Sequence, residues 1–91
     1  MRKSTHTAEY ECVTKKLVQM RTAAGLTQQQ MADMLQREQS FVWRIEHGER
    51  RVDILEFYWI CNALGFDAKS VYNELADSFE KTESMPLAAQ K

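Results

Sequence analysis

Gly25-Leu26-Thr27-Gln28-Gln29-Gln30-Met31-Ala32-Asp33-Met34-Leu35, followed three residues later by Gln39-Ser40-Phe41-Val42-Trp43-Arg44-Ile45-Glu46-His47-Gly48, is the stretch that decides the fold. Thr27 with Gln30 three positions on is a capping box, in which side chains and backbone reciprocally satisfy the open N–H groups of a helix start. Met31, Ala32, Met34 and Leu35 then give apolar positions over about two turns. Polar residues Gln36 to Gln39 interrupt, and Phe41, Val42 and Ile45 open a second short apolar stripe that His47-Gly48-Glu49 closes. Neither helix is long enough to hold alone. The pair needs a core supplied by the rest of the chain, which is how a helix-turn-helix is built.

The flanking sequence supplies that core. Thr7 is an N-cap candidate, with Glu9 in the first turn where the helix dipole favours an anion. Val13, Leu17, Met20 and Ala24 form one helical stripe, ended by Gly25. A fourth helix is expected over Asp53 to Leu64, closed by Gly65, and a fifth from Asp67 to Phe79, with Val71, Tyr72, Leu75 and Phe79 on one side. With three glycines and one proline in 91 residues, breakers are too scarce for a many-turned β fold. The expectation is an all-α domain of five helices over 7–79, a loose N-terminal tail over 1–6 and a polar, disordered C-terminal tail over 80–91.

Composition removes several classes of function. No apolar run reaches the ~20 residues that span a bilayer, and Met1 to Thr7 lacks the apolar stretch of a signal peptide. No membrane association and a cytoplasmic location are therefore expected. Cys12 and Cys61 fit no metal-ligand spacing and read as small apolar residues. His6 and His47 have no carboxylate or nucleophile partner in the pattern, so no catalytic residue, metal or cofactor is expected. Net charge is −1, but residues 1–52 carry +3 and residues 53–91 carry −4. The positive excess lies in the half that holds the two short helices.

The combined pattern GLTQ, A, L, QS, V, RIE, GER and ALG over roughly Leu17 to Leu75 resembles the Xre/Cro/CI family of helix-turn-helix regulators. The resemblance implies a lambda-repressor-like fold that binds double-stranded DNA, with helix 3 in the major groove. Ala32 fits where helices 2 and 3 approach closely, and Val42 and Ile45 are the inward face of helix 3. Gln39, Ser40, Trp43, Arg44 and His47 then share its outward side. Gln39 suits a bidentate contact to adenine, Arg44 a guanine or a nearby phosphate, and Ser40 either base type. Gln28 matches the position that contacts a phosphate and braces the first glutamine of helix 3. Arg50 and Arg51 look like backbone clamps, and His47 is a surface or phosphate-contacting residue. Arg21 and Glu46 match a pair that joins helix 1 to the end of helix 3 in the family.

Three positions depart from that pattern. Gln36 stands where a left-handed residue, commonly glycine, is needed. Glu38 stands at the N-cap of helix 3, either capping it or accepting from cytosine N4. Trp43 on the reading side has two readings: contact with thymine methyls or the sugar–phosphate edge, or folding back over the turn or a neighbouring helix.

On the wheel of helix 4, Ile54, Phe57, Ile60, Cys61 and Leu64 fall on one arc and are assigned to the core. Leu55 and Trp59 fall opposite, and with Val71, Tyr72 and Leu75 of helix 5 they are expected to form a homodimer interface. The leading reading is a homodimeric repressor on a pseudo-palindromic operator, with activation through contact to RNA polymerase open on the same scaffold. The competing readings are an antitoxin and a protein–protein adaptor that kept the fold.

Overall fold

The computed structural model describes residues 7–82. The expected N-terminal tail, 1–6, lies outside them; of the expected C-terminal tail, 80–91, Glu80 still belongs to the last helix, residues 81 and 82 follow it, and 83–91 lie outside. Five helices follow one another: α1 (Ala8–Ala23), α2 (Gln28–Leu35), α3 (Gln39–Glu46), α4 (Ile54–Leu64) and α5 (Ala68–Glu80). No strand occurs among the described residues, and no helix is long and apolar enough to cross a membrane.

Four of the five helix starts are capped by a side chain: Thr7, Thr27, Asp53 and Asp67 each accept from the backbone N–H three residues on. Two are full capping boxes, Thr27 with Gln30 and Asp53 with Glu56. The exception is α3, where Glu38 occupies the N-cap in extended conformation but makes no side-chain capping bond. Between α2 and α3 the chain reverses through Gln36 at φ 57°, ψ 42°. Its N–H donates to the Asp33 carbonyl and the Arg37 N–H to the Ala32 carbonyl, a Schellman closure. Gly65 closes α4 in the same way. A side chain at φ > 0 strains the backbone by about 1 kcal/mol, so Gln36 is the one helix end here that pays for its side chain.

The core joins Leu17 and Met20 of α1, Met31 and Ala32 of α2, Phe41, Val42 and Ile45 of α3, Ile60, Cys61 and Leu64 of α4, and Val71 and Leu75 of α5. α2 packs on α3 and α4, and α1 packs on α3 and α5, so the two short helices are held from behind by the three longer ones. Ala32 is fully buried where α2 meets α3. Ala24 of the expected α1 stripe is instead its exposed C-cap.

Two assignments made from the helical wheel are corrected. Ile54 is 81% exposed and lies outside the core. The buried arc of α4 is turned toward Glu56, which is drawn inside by Arg50, so Ile54 at the opposite edge of the arc is carried out to solvent. Val71 and Leu75 are buried in the core of their own chain and cannot contribute an interface surface. Four residues apart on α5, they form the stripe that faces inward, and only Tyr72 beside them remains half-exposed.

Candidate nucleic-acid interface

Val42 and Ile45 are completely buried, and this fixes the rotation of α3. The opposite side carries Ser40, Trp43, Arg44 and His47, all exposed, with Gln39 half-buried at its start. Four of the five therefore stand on an uncovered surface, and the fifth is held by its neighbours.

That hold is a chain of hydrogen bonds. Arg21 donates to both oxygens of Glu46, from Nε at 2.7 Å and from Nη2 at 3.1 Å, and from Nη1 to the Leu26 carbonyl. Glu46 also accepts from Gln28 Nε2 at 3.0 Å. Its amide thus oriented, Gln28 presents Oε1 to Gln39 Nε2, which donates at 2.6 Å. The buried carboxylate cannot donate, so it must face the NH2 group of Gln28, and that sets which end of Gln39 is engaged. The carbonyl oxygen of Gln39 and one N–H remain unengaged, an acceptor and a donor that complement the adenine edge, where N6–H donates and N7 accepts. Hydrogen bonding to Glu46 raises the pKa of Arg21 above its ordinary value.

Trp43 stands on the exposed side of α3. Its ring stacks on His47 one turn along, with centroids 3.9 Å apart and planes within 16°. His47 Nδ1 lies 2.7 Å from the Trp43 carbonyl oxygen, which can only accept, so Nδ1 carries a proton and donates. The stack presents a flat aromatic surface, 40% exposed at Trp43, beside Arg44.

Of the two expected clamps, Arg51 is exposed, whereas Arg50 is gripped by a residue that the pattern does not single out. Its Nη1 and Nη2 donate to Glu56 Oε1 and Oε2, both at 2.9 Å. Arg37 Nη1 lies 3.6 Å from the same carboxylate, and its Cζ sits 3.9 Å from the centre of the Phe41 ring. Sequence reasoning missed Glu56, Arg37 and Phe41 as a unit. The signal that could have found Glu56 was its place three residues after Asp53, the capping-box spacing. Tyr10 was also missed; its hydroxyl accepts from the Val52 N–H at 2.9 Å and ties α1 to the loop before α4.

The expected interface residues separate into two groups. Leu55, Trp59 and Tyr72 are half-exposed, and Ile54 and Tyr58 of α4 join them on the outer surface, while Val71 and Leu75 are internal. No group of three or more His, Cys, Asp or Glu side chains among the described residues is arranged to hold a metal ion.

The sequence matches the model of a family described as a helix-turn-helix domain over residues 15–71. No curated protein matches it. Among solved structures, it is similar to an XRE-family like protein from Pseudomonas syringae pv. tomato str. DC3000, with 39% identity, 79% of this chain and 88% of that chain covered, and a TM-score of 0.74. It shares its fold with the clp gene regulator ClgR from Corynebacterium glutamicum, in one structure at 22% identity, 85% and 100% coverage and a TM-score of 0.71. A second structure of that regulator matches at 24% identity, 92% and 84% coverage and a TM-score of 0.70.

Proposed function

Given that the chain belongs to the Xre family of helix-turn-helix regulators, a non-enzymatic class that binds DNA to regulate transcription, we propose that it acts as a homodimeric repressor on a two-fold symmetric operator. The observation that carries this reading is the burial of Val42 and Ile45, which leaves Ser40, Trp43, Arg44 and His47 outward with Gln39 oriented beside them. Gln39, Ser40 and Arg44 read base edges, the Trp43–His47 stack lies against thymine methyls or sugar, and Gln28, Arg50 and Arg51 contact the phosphate backbone.

The dimer reading rests on α4. Its outward surface carries Ile54, Leu55, Tyr58 and Trp59, exposed by between 51% and 81%, with Tyr72 of α5 at 50%. A helix apolar on all sides is normally covered on all sides, and a second copy of this chain provides the cover. Two copies related by a two-fold axis set their α3 helices about one turn of DNA apart, ~34 Å.

Selection of bound sites from random duplex DNA tests both parts. The expected result is an inverted repeat with half-site centres about 10 base pairs apart, and affinity that falls steeply with salt. No enrichment and no salt dependence would overturn the DNA reading and favour an adaptor. A single unrepeated half-site, with sedimentation as a monomer at micromolar concentration, would overturn the dimer alone.

A further inference from the structure

Glu56 does more than a helix cap requires. A capping box needs one side-chain acceptor for the N-cap N–H, and Glu56 Oε1 accepts from Asp53 N at 3.1 Å. The same carboxylate also takes both Nη groups of Arg50 and lies 3.6 Å from Arg37. Two guanidiniums thus share one anion, which leaves a net positive charge of one at a fixed place. Both press on Phe41, Arg37 with its Cζ 3.9 Å and Arg50 5.0 Å from the ring centre. Phe41 is itself only 7% exposed, so it is a rigid backing for the two cations.

Neither arginine is buried by this arrangement: their side chains keep 42% and 39% of their exposure. They open into a hollow of about 400 Å³ whose other walls are Gln36, Glu38, Ser40 and Arg44. The Arg44 guanidinium has no hydrogen-bond or ion-pair partner among the described residues, and Ser40 and Arg44 belong to the outward side of α3. The hollow is therefore the flank of that side. Arginine has five N–H donors; Glu56 and the Arg51 carbonyl engage three of those of Arg50.

We infer that Glu56 is a positioning residue for DNA, holding Arg50 and Arg37 against Phe41 so that, with Arg44, they clasp one backbone phosphate beside the groove that α3 enters. The inference rests on the DNA-binding reading above. A flexible arginine loses rotamer freedom when it meets a phosphate, and that loss weakens binding. Here the two side chains are ordered during folding, through a carboxylate that the phosphate never touches. The guanidinium fork then meets the phosphate in the geometry it favours.

The sign of one substitution separates this role from its alternatives. Glu56→Gln keeps the shape and an oxygen for the cap, and makes the protein one charge more positive. Simple electrostatics would then tighten DNA binding. Loss of positioning weakens it instead, by an expected tenfold or so, with the slope of log K against log salt shallower by about one. A duplex with one uncharged methylphosphonate at the clasped position should weaken binding of the wild-type chain and leave that of Glu56→Gln unmoved. Unchanged or tighter binding by folded Glu56→Gln would overturn the proposal and leave Glu56 a cap. If that variant does not fold, Arg37→Gln on the exposed turn decides: a several-fold loss with a shallower salt slope is expected, and no change overturns the inference. A wild-type chain that binds no selected duplex would bring down the DNA reading itself, an outcome distinct from either.

Discussion

Glu46 and Glu56 stand ten positions apart, are buried to 9% and 7% exposure, and each grips an arginine through two hydrogen bonds. The chemistry is the same and the settings differ. Glu46 closes on Arg21, 25 residues back in the chain, with the arginine side chain only 16% exposed. Arg21 also bonds the Leu26 carbonyl and Glu46 also takes Gln28, so this pair fastens α1, the loop before α2, α2 and α3 together. Glu56 closes on Arg50 only six residues away, and that arginine remains 39% exposed. A deeply enclosed pair fastens elements; a half-open one fixes a cation where a ligand can reach it.

The comparison breaks most visibly at Glu46. Glu46→Ala leaves Arg21 enclosed with no carboxylate, and removing one partner of a buried pair costs about 3–5 kcal/mol. That is a large part of the stability of a small domain. Urea denaturation followed by circular dichroism should show the midpoint collapse. Arg21→Met combined with Glu46→Leu should recover much of the loss, because apolar replacement of both charges removes the desolvation cost as well. A loss below about 1 kcal/mol for Glu46→Ala would mean that the pair behaves as a solvated one.

Glu56→Gln should cost less, about 2 kcal/mol, the size of a charge-assisted hydrogen bond. It also carries a pH signature. The hydrogen bonds from Arg50, opposed by desolvation and helped by the Asp53 N–H, hold the Glu56 carboxyl below its ordinary value. The unfolded chain titrates near about 4.3 and the folded one lower, so between the two values the unfolded state binds more protons. The stabilisation is full above the unfolded value and is lost as pH falls through the folded one. Chemical denaturation at pH 7 and pH 3 should therefore show an acid loss in the wild-type chain, and a smaller one in Glu56→Gln. An equal acid loss in both would place the sensitivity elsewhere.

These two carboxylates also mark how far the sequence could be read. The Arg21–Glu46 match lies inside a family pattern, and every helix was visible from apolar spacing and caps, because α-helical periodicity and Thr or Asp caps are local signals. Glu56 was not visible as a functional group. Its role depends on Arg37, Arg50 and Phe41 meeting in space, from a turn, a loop and another helix, and no spacing encodes that meeting. The same blindness misplaced Ile54: a wheel that counts only apolar residues assumes that acids face water, and here one acid turned inward. Val71 and Leu75 went astray for the opposite reason. An apolar stripe shows that a surface is covered, not whether the same chain or a second copy covers it.

Arg37 follows Gln36, so the Glu56 side of the comparison depends on a strained turn and the Glu46 side does not. Gln36→Gly should relieve the positive φ and raise stability by up to about 1 kcal/mol. If the turn only needs its backbone angle, the Arg37–Glu56 ion pair survives. The ring-current-shifted resonances of Phe41, read by NMR, should then be unchanged. A stability gain with movement of those resonances would show that the Gln36 side chain also places Arg37.

An ion pair on a third carboxylate sets the lower end of the scale. Lys16 Nζ lies 2.6 Å from Glu74 Oε1, closer than the shortest contact in either buried pair, and bridges α1 to α5 across 58 residues. By distance and by span it ought to be the strongest of the three. Glu74, however, is 64% exposed on its side chain, and water screens the charge and competes for both groups. Glu74→Ala should shift stability by no more than about 0.5 kcal/mol, and less in high salt. A loss comparable to that of Glu56→Gln would make separation, not enclosure, the quantity that ranks these pairs, and the division between Glu46 and Glu56 would have to be argued on other grounds.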